Sequence, residues 1–299
     1  MNIGQLIQQA NIEVKELSSD DLKRLQSVLL DMFKDIYSAC QKYGINILLS
    51  GGSCLGAVRH QGFIPWDDDL DTILIRRDYK KLPQILQQEY GNKYRCVGAN
   101  ISNVPKIPFM KIQRTDCITQ DIYHTDNDIQ YLSIDVFPID NIPNNIIKRI
   151  WHGFWLNTIQ YIALCIHFYK ERNCCATQIL QASKDGRKTI NTRLLIGQIA
   201  SLLFNESNLY IFFDQYASKY QHIETTHISI PTGREHYFGE IHTLSKITPA
   251  TYMKFEDIMA PLPQDYDTYL CRLYGNYMEI PPLEKREKHY FVNIKFPEE

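Results

Sequence analysis

The chain is 299 residues long, 44% apolar and 22% charged, with a formal net charge of -2. That composition excludes a disordered or fibrous chain, and the near-neutral balance points away from a nucleic-acid partner. The length suffices for one large domain or two small ones around a full apolar core.

Residues 1–10 have neither the basic start nor the long apolar stretch of a secretory signal. The 8 Cys form no C-x-x-C pair, and adjacent Cys174 and Cys175 cannot bridge each other without strain. A reduced, cytoplasmic protein with buried thiols is the expected setting. The 19 Tyr are expected in the core more than on a sugar-binding surface.

Ser18 or Ser19 can cap a first helix, with Asp20 and Asp21 in its first turn. Leu22, Leu25, Leu29, Met32, Phe33, Ile36, Tyr37 and Cys40 then recur at helical spacing, and Gly44 ends the run. Residues 45–49 read as a short buried strand. Gly51-Gly52-Ser53 turns the chain into a short helix, 54–59, broken at Gln61-Gly62. Phe63-Ile64-Pro65-Trp66 leads to Asp67-Asp68-Asp69-Leu70-Asp71, which enters an apolar strand at Ile73-Leu74-Ile75.

Glycines at a strand end let backbone N–H groups approach an anion. Alternate side chains of a strand share a face, so Asp69 and Asp71 should point the same way. Two carboxylates beyond a phosphate-sized turn suit a divalent cation that bridges phosphate oxygens. An exposed acidic loop seldom runs straight into an apolar strand, which favours the metal reading.

Asp78 reads as a helix cap, and Pro83 predicts a kink or a restart. Residues 94–97, 109–113 and 117–120 are candidate strands. Residues 131–137 alternate, with Leu132, Ile134 and Val136 on one face, Ser133 and Asp135 on the other, and Pro138 as the stop. Asp135 on that polar face is the candidate third carboxylate, since an unpaired charge there is costly. From 143 to about 220 the pattern is helical: 144–169, 177–182, 192–204 and 206–220, with 184–187 as an exposed loop. The apolar run 150–169 contains His152, Asn157, Gln160 and His167, which suits a buried or interfacial helix better than a membrane span. Trp151 and Trp155 are placed either to pack inward or to rest on lipid headgroups, a peripheral membrane association. After 223 the pattern is mixed, with a turn at 231–233 and a helix at 265–274. Whether the last segment folds back on the first half stays open. Lys285, Arg286 and Lys288 read as a solvated charge run.

An apolar residue, a Gly-Ser pair, a spacer, Asp-apolar-Asp and a later Asp fit the nucleotidyltransferase superfamily pattern, here Gly52-Ser53, Asp69-Leu70-Asp71 and Asp135. The stretch GGSCLGAVRHQGFIPWDDDLD resembles the signature of the LicD family of phosphotransferases, to which fukutin and fukutin-related protein are distantly similar. Arg77-Asp78-Tyr79, Ile134-Asp135-Val136-Phe137-Pro138, Tyr274-Gly275-Asn276-Tyr277-Met278 and Pro281-Pro282 extend the resemblance. Ser53 and Cys54 stand where the family often has Thr and Leu, and the helical middle gives no match.

The resemblance implies an α+β fold, a nucleotidyltransferase-like mixed sheet core with helices plus a mainly helical C-terminal region. The expected division is a catalytic core at 1–140 and a mainly helical, acceptor-binding region at 141–299. The implied activity moves phosphocholine, or a related alcohol phosphate, from a CDP-linked donor to a hydroxyl of a cell-surface glycan or glycolipid, as in lipopolysaccharide or capsule biosynthesis. Such a protein would work in the cytoplasm or at the inner face of the membrane. Asp69, Asp71 and Asp135 would be the catalytic residues and would hold Mg²⁺ or Mn²⁺, which hard oxygen ligands favour. Gly51, Gly52 and Ser53 would hold the donor, with Arg59, His60, Lys111 and Arg234 as basic contacts. Arg59 pairing with a nearby Asp, His60 bracing its loop, and Lys111 and Arg234 as surface charges are the plainer alternatives. Trp66 is expected to anchor its loop rather than stack on the base. Two other functions stay open: addition of a nucleoside monophosphate to a small acceptor, and an inactive nucleotide-binding module.

Overall fold

The computed structural model describes residues 17–102, 107–122, 130–182, 184–283, 286 and 291–297. Helix α1 spans Ser19–Lys42 and is capped by Ser18, whose hydroxyl accepts the Asp21 N–H at 3.0 Å. Its buried stripe, Leu25, Leu29, Met32, Phe33, Ile36 and Cys40, packs into the main core. Gly44 lies at φ +67°, and the Ile45 N–H bonds back to the Cys40 carbonyl. That closure holds residues 45–47 at the helix end, so strand β1 is only Leu48–Leu49, shorter than expected. Helix α2 is Gly51–His60, so the glycine pair forms its first turn.

Strand β2 is Asp71–Ile75, followed by the single turn α3, Arg76–Tyr79, and by α4, Leu82–Tyr90. The restart at Pro83 is as expected: proline sits in the first turn of α4, where its missing N–H costs no helical bond. Asp78 does not cap α4; it lies within α3 and pairs with Arg77 and Lys81. Strand β3 is Tyr94–Val97, β4 is Met110–Asp121 and β5 is Gln130–Asn141. The two strands expected at 109–113 and 117–120 are one, β4, with a register shift against β5 between Gln113 and Ile118. Strand β5 continues through Pro138. The Asp135 N–H bonds toward β2, so the Pro138 nitrogen points to the β4 side, and β4 pairs only as far as Val136. Proline there removes no ladder bond.

Helices α5, Ile146–Lys170; α6, Cys175–Ala182; α7, Lys184–Ser201; and α8, Glu206–Ala217, form the helical region. Residues 184–187, expected as a loop, are the first turn of α7. Gly186 costs that helix about 1 kcal/mol, which packing of α7 along α5 outweighs. The remaining elements are β6, His227–Ser229; α9, His236–Gly239; β7, Ile241–Thr243; α10, Leu244–Ile247; β8, Thr251–Phe255; β9, Ile258–Leu262; α11, Tyr266–Tyr274; and β10, Phe291–Lys295.

The main sheet runs β1-β2-β5-β4-β10, with β3 also on β4, and β6 joining β5 to β7. Among the described residues only the β2–β5 pair is parallel; the other pairs are antiparallel. The sheet is therefore mixed and the fold is α+β. The C-terminal part does fold back: β6 extends β5 and β10 pairs with β4. A buried charge cluster ties the sheet to the helices. Arg76 makes a bidentate pair with Asp140, at 2.6 and 2.7 Å, and a further pair with Asp214 of α8. No described helix is long and apolar enough to cross a membrane. All eight cysteines are free thiols.

Candidate active site

The parallel pairing sets Asp71 opposite Asp135. On the other side of β5, β4 sets Lys111 opposite the same Asp135, with Nζ 3.3 Å from Oδ1. Directly paired residues share a face, so three side chains remote in sequence form one row across the sheet. Asp69 lies before β2 rather than in it. The alternation still holds: Asp67, Asp69 and Asp71 keep partial access to solvent while Asp68, Leu70 and Thr72 are buried. Carboxylate oxygens of Asp67, Asp68 and Asp69 lie within 4.8 Å of one another. Burial raises the Asp71 carboxyl well above the usual carboxylate range, and the charges of Asp69, Asp135 and Asp67 add to this against the pull of Lys111.

Helix α2 backs this row. A Cβ on Gly51 would sit 3.1 Å from Asp71 Oδ2, and one on Gly52 would sit 2.9 Å from Asp67 Oδ2. Gly51 also takes φ +50°, a region unfavourable to other residues. The Gly51 N–H, expected to face a phosphate, instead donates to the Tyr269 hydroxyl at 3.2 Å. Ser53, expected to touch the donor, is 2% exposed, and its hydroxyl accepts the Asp71 N–H at 2.9 Å. It is a brace behind the aspartate. The physical reason is the short β1: the chain enters α2 directly, so residue 53 points back at β2.

The loop between α2 and β2 is clamped from outside. Gln26 of α1 donates to the carbonyls of Ile64 and Asp67, at 3.3 and 2.8 Å. Glu256, at the β8–β9 turn, accepts the Phe63 N–H at 2.9 Å. These contacts fix where the acidic run begins.

Beside the row, across Gly52 and Asp67, lies a cavity of about 240 Å³ whose walls include Arg59, Arg234, Arg286, Trp66 and Tyr274. Of the expected donor contacts, Gly52, Arg59 and Arg234 line it. Arg59 does not spend its hydrogen bonds on an aspartate. It donates to the carbonyls of Tyr277 and Glu279, at 2.8 and 3.3 Å, and to His60 Nε2 at 2.9 Å. His60 therefore holds Arg59 in place instead of lining the cavity, and burial and the Arg59 charge both lower its pKa. Lys111 also lies away from the cavity walls, at the acidic row.

Arg286 corrects the reading of a solvated charge run. Its guanidinium lies 3.9 Å from the centroid of the Trp66 ring, and its Nε donates to the Pro281 carbonyl. Arg59 approaches the same ring at 5.9 Å. Trp66 packs partly buried against the core and gathers two cations at the cavity wall. Lys285 and Lys288 lie outside the described residues. Tyr269 and Gln26 carry no motif signal, and only their contacts single them out; Tyr274 belongs to a stretch that extends the family resemblance, and the structure sets it at the cavity wall.

An aspartate row on paired parallel strands, backed by a glycine-led helix and flanked by an arginine-lined cavity, is an arrangement suited to phosphate-bearing ligands. Residues 44–173 match the family described as LicD/FKTN/FKRP, nucleotidyltransferase domain. That stretch, under half of the chain, is thus similar to the nucleotidyltransferase domain of the LicD family. It is 25% identical over 271 residues, 90% of this chain and 96% of the relative, to the lipopolysaccharide cholinephosphotransferase LicD of Haemophilus influenzae. An uncharacterised protein of Rickettsia typhi is 32% identical over 132 residues, 44% of this chain and 40% of that protein. An uncharacterised protein of Rickettsia prowazekii is 45% identical over 60 residues, 20% of this chain and 23% of that protein.

Proposed function

We propose that this protein is a metal-dependent transferase that moves phosphocholine, or a related alcohol phosphate, from a CDP-linked donor to a hydroxyl of a cell-surface glycan or glycolipid. The observation that carries this reading is the row Asp71–Asp135–Lys111, with Asp67 and Asp69 at its edge. The similarity to the Haemophilus influenzae cholinephosphotransferase over nearly its whole length supports the same reading.

The donor set fits Mg²⁺ or Mn²⁺: the groups are all carboxylates, which are hard oxygen ligands. Asp71 is held against the repulsion of its neighbours, a cost that a divalent cation relieves. Asp69, Asp71 and Asp135 would hold it, with Asp67 within reach of the same cluster. When bound, the ion neutralises the donor pyrophosphate.

The chain's own groups do the rest by position and charge. Arg59, Arg234 and Arg286 contact the diphosphate oxygens at the cavity wall, and the glycines of α2 leave room for them. Asp135 accepts the proton of the attacking hydroxyl, and Lys111 fixes the orientation of its carboxylate. The acceptor oxygen bonds to the phosphorus that carries the alcohol, the pyrophosphate P–O bond breaks, and cytidine monophosphate leaves with that electron pair.

The test is incubation with Mg²⁺ and a panel of CDP-alcohols, with cytidine monophosphate as the readout. Metal-dependent release that disappears in Asp71→Asn supports the reading. Release of pyrophosphate from a nucleoside triphosphate in its place would move the assignment to nucleotidyl transfer.

A further inference from the structure

Helix α5 buries one face only. His152, Gly153, Leu156, Ile159, Ala163 and Ile166 face the fold. The opposite side of its first half holds Ile147, Ile150, Trp151, Phe154 and Trp155, exposed at 64%, 52%, 57%, 50% and 47%. These recur at i, i+3, i+4, i+7 and i+8, a single stripe about 12 Å long. The three aromatic rings touch one another: Trp151–Phe154 centroids are 6.0 Å apart and Phe154–Trp155 centroids 5.5 Å. Helix α7, packed along α5, leaves Leu195 and Ile199 exposed as well, and Leu202 just after it is exposed too. A patch of this kind marks an interaction surface.

The charge names the occupant. Residues 146–201 carry eight Lys or Arg against two Asp or Glu, a net of +6 in a chain whose total is -2, which leaves the remainder at -8. No acidic residue lies within α5, and Lys148 is exposed beside the stripe. Bulky apolar and aromatic side chains bordered by cations, on a helix too polar to span, are the composition of an interfacial helix on an anionic bilayer.

We propose that the exposed stripe of α5 seats this protein on an anionic lipid surface, with the two indoles at headgroup depth. The buried face of the same helix packs on the segment that follows Arg234. A Cβ on Gly153 would fall 2.3 Å from the Tyr237 ring and 2.6 Å from the Phe238 ring. Tyr237 lies three residues after Arg234 in the chain, and its hydroxyl meets His152 Nδ1 at 3.2 Å. A bilayer on the outer face of α5 would thus be separated by one helix from the segment that supplies Arg234, on the side from which a lipid-borne acceptor would come. The vesicle binding itself stands apart from the transferase reading; only this last consequence rests on it.

The test is co-sedimentation of the full chain, without nucleotide, with phosphatidylcholine vesicles and with vesicles containing about one third phosphatidylglycerol. The expected result is salt-sensitive binding to the anionic vesicles and weak binding to the neutral ones. Trp151→Ser with Trp155→Ser should weaken it about tenfold or more, and Lys148→Glu should weaken it at low salt, with circular dichroism and CDP-alcohol turnover in detergent unchanged. Equal pelleting of the double variant and the natural chain overturns the proposal. So does a lipid-indifferent protein that light scattering shows to be a dimer, which the double variant makes monomeric: the face is then a contact between copies. Absence of CDP-alcohol turnover in the natural chain, with its vesicle binding intact, would count against the transferase reading alone.

Discussion

Replacing Ser53 by alanine distinguishes a brace from a ligand contact. In the structure the Ser53 hydroxyl accepts the Asp71 N–H at 2.9 Å, and the residue is 2% exposed. Alanine deletes the acceptor and leaves no room for water to replace it. A buried N–H left without its partner costs about 1–3 kcal/mol. In a chain of this size each kcal/mol lowers Tm by about 2–4 °C, so the expected fall is roughly 2–12 °C. The same N–H sets the start of β2, so the Asp71 carboxylate loses its register against Asp135. The prediction is a drop in kcat of about tenfold or more, with the donor KM little changed. Ser53→Thr keeps the hydroxyl and should recover most of both losses. Thermal unfolding followed by circular dichroism, together with initial rates of cytidine monophosphate release, gives both readouts. An alanine variant with unaltered Tm and a raised donor KM would refute the reasoning and restore Ser53 as a donor contact.

Asp71→Asn should abolish turnover, by about 10²-fold or more, yet leave Tm equal or higher, because it removes a carboxylate held against burial and three like charges; a large fall in Tm would contradict that. The same variant should lose Mn²⁺ binding measured by electron paramagnetic resonance without any donor present. Arg286→Ala should raise the donor KM about tenfold with kcat nearly unchanged, since it removes a cation from the cavity wall and not from the aspartate row; an unchanged KM places Arg286 in a purely structural role. His152 is held neutral, chiefly by burial, with Lys219 adding to the effect and the Tyr216 carbonyl opposing it. Its folded pKa lies below the unfolded value of about 6.5, so the unfolded chain takes up the proton first. Stability is therefore full above about pH 7 and declines as pH falls through 6.5. Tm measured at several pH values between 7.5 and 5.5 should show that slope, and His152→Gln should flatten it in part.

Much of the candidate site was legible because its signals are local. Gly51, Gly52 and the alternation of Asp67, Asp69 and Asp71 lie within one continuous stretch, and strand periodicity alone predicts the shared face that the exposures follow. The buried stripe of α1 and its Ser18 cap are local in the same sense. The limits of local reading appear where two signals compete. Pro138 reads as a stop until the end of β4 is known, and Lys184 to Arg187 read as a loop until α5 supplies a surface to pack on.

Other features depend on partners that no sequence window contains. Ser53 looks like a phosphate ligand and is a brace, because a two-residue β1 turns its hydroxyl toward β2. Arg286 looks solvated and lies on Trp66, because the chain returns to the first half after α11. The sequence by itself determined the chemistry on offer: which carboxylates, glycines and cations exist, and which of them alternate along the stretch that leads into β2. Tertiary structure alone decided that Asp135 stands opposite Asp71 and Lys111, since strand order and register are set by burying the apolar faces of β2, β4 and β5 together. A shift of one residue in that register would turn Asp135 to the other face of the sheet and bury Ile134 or Val136 nowhere.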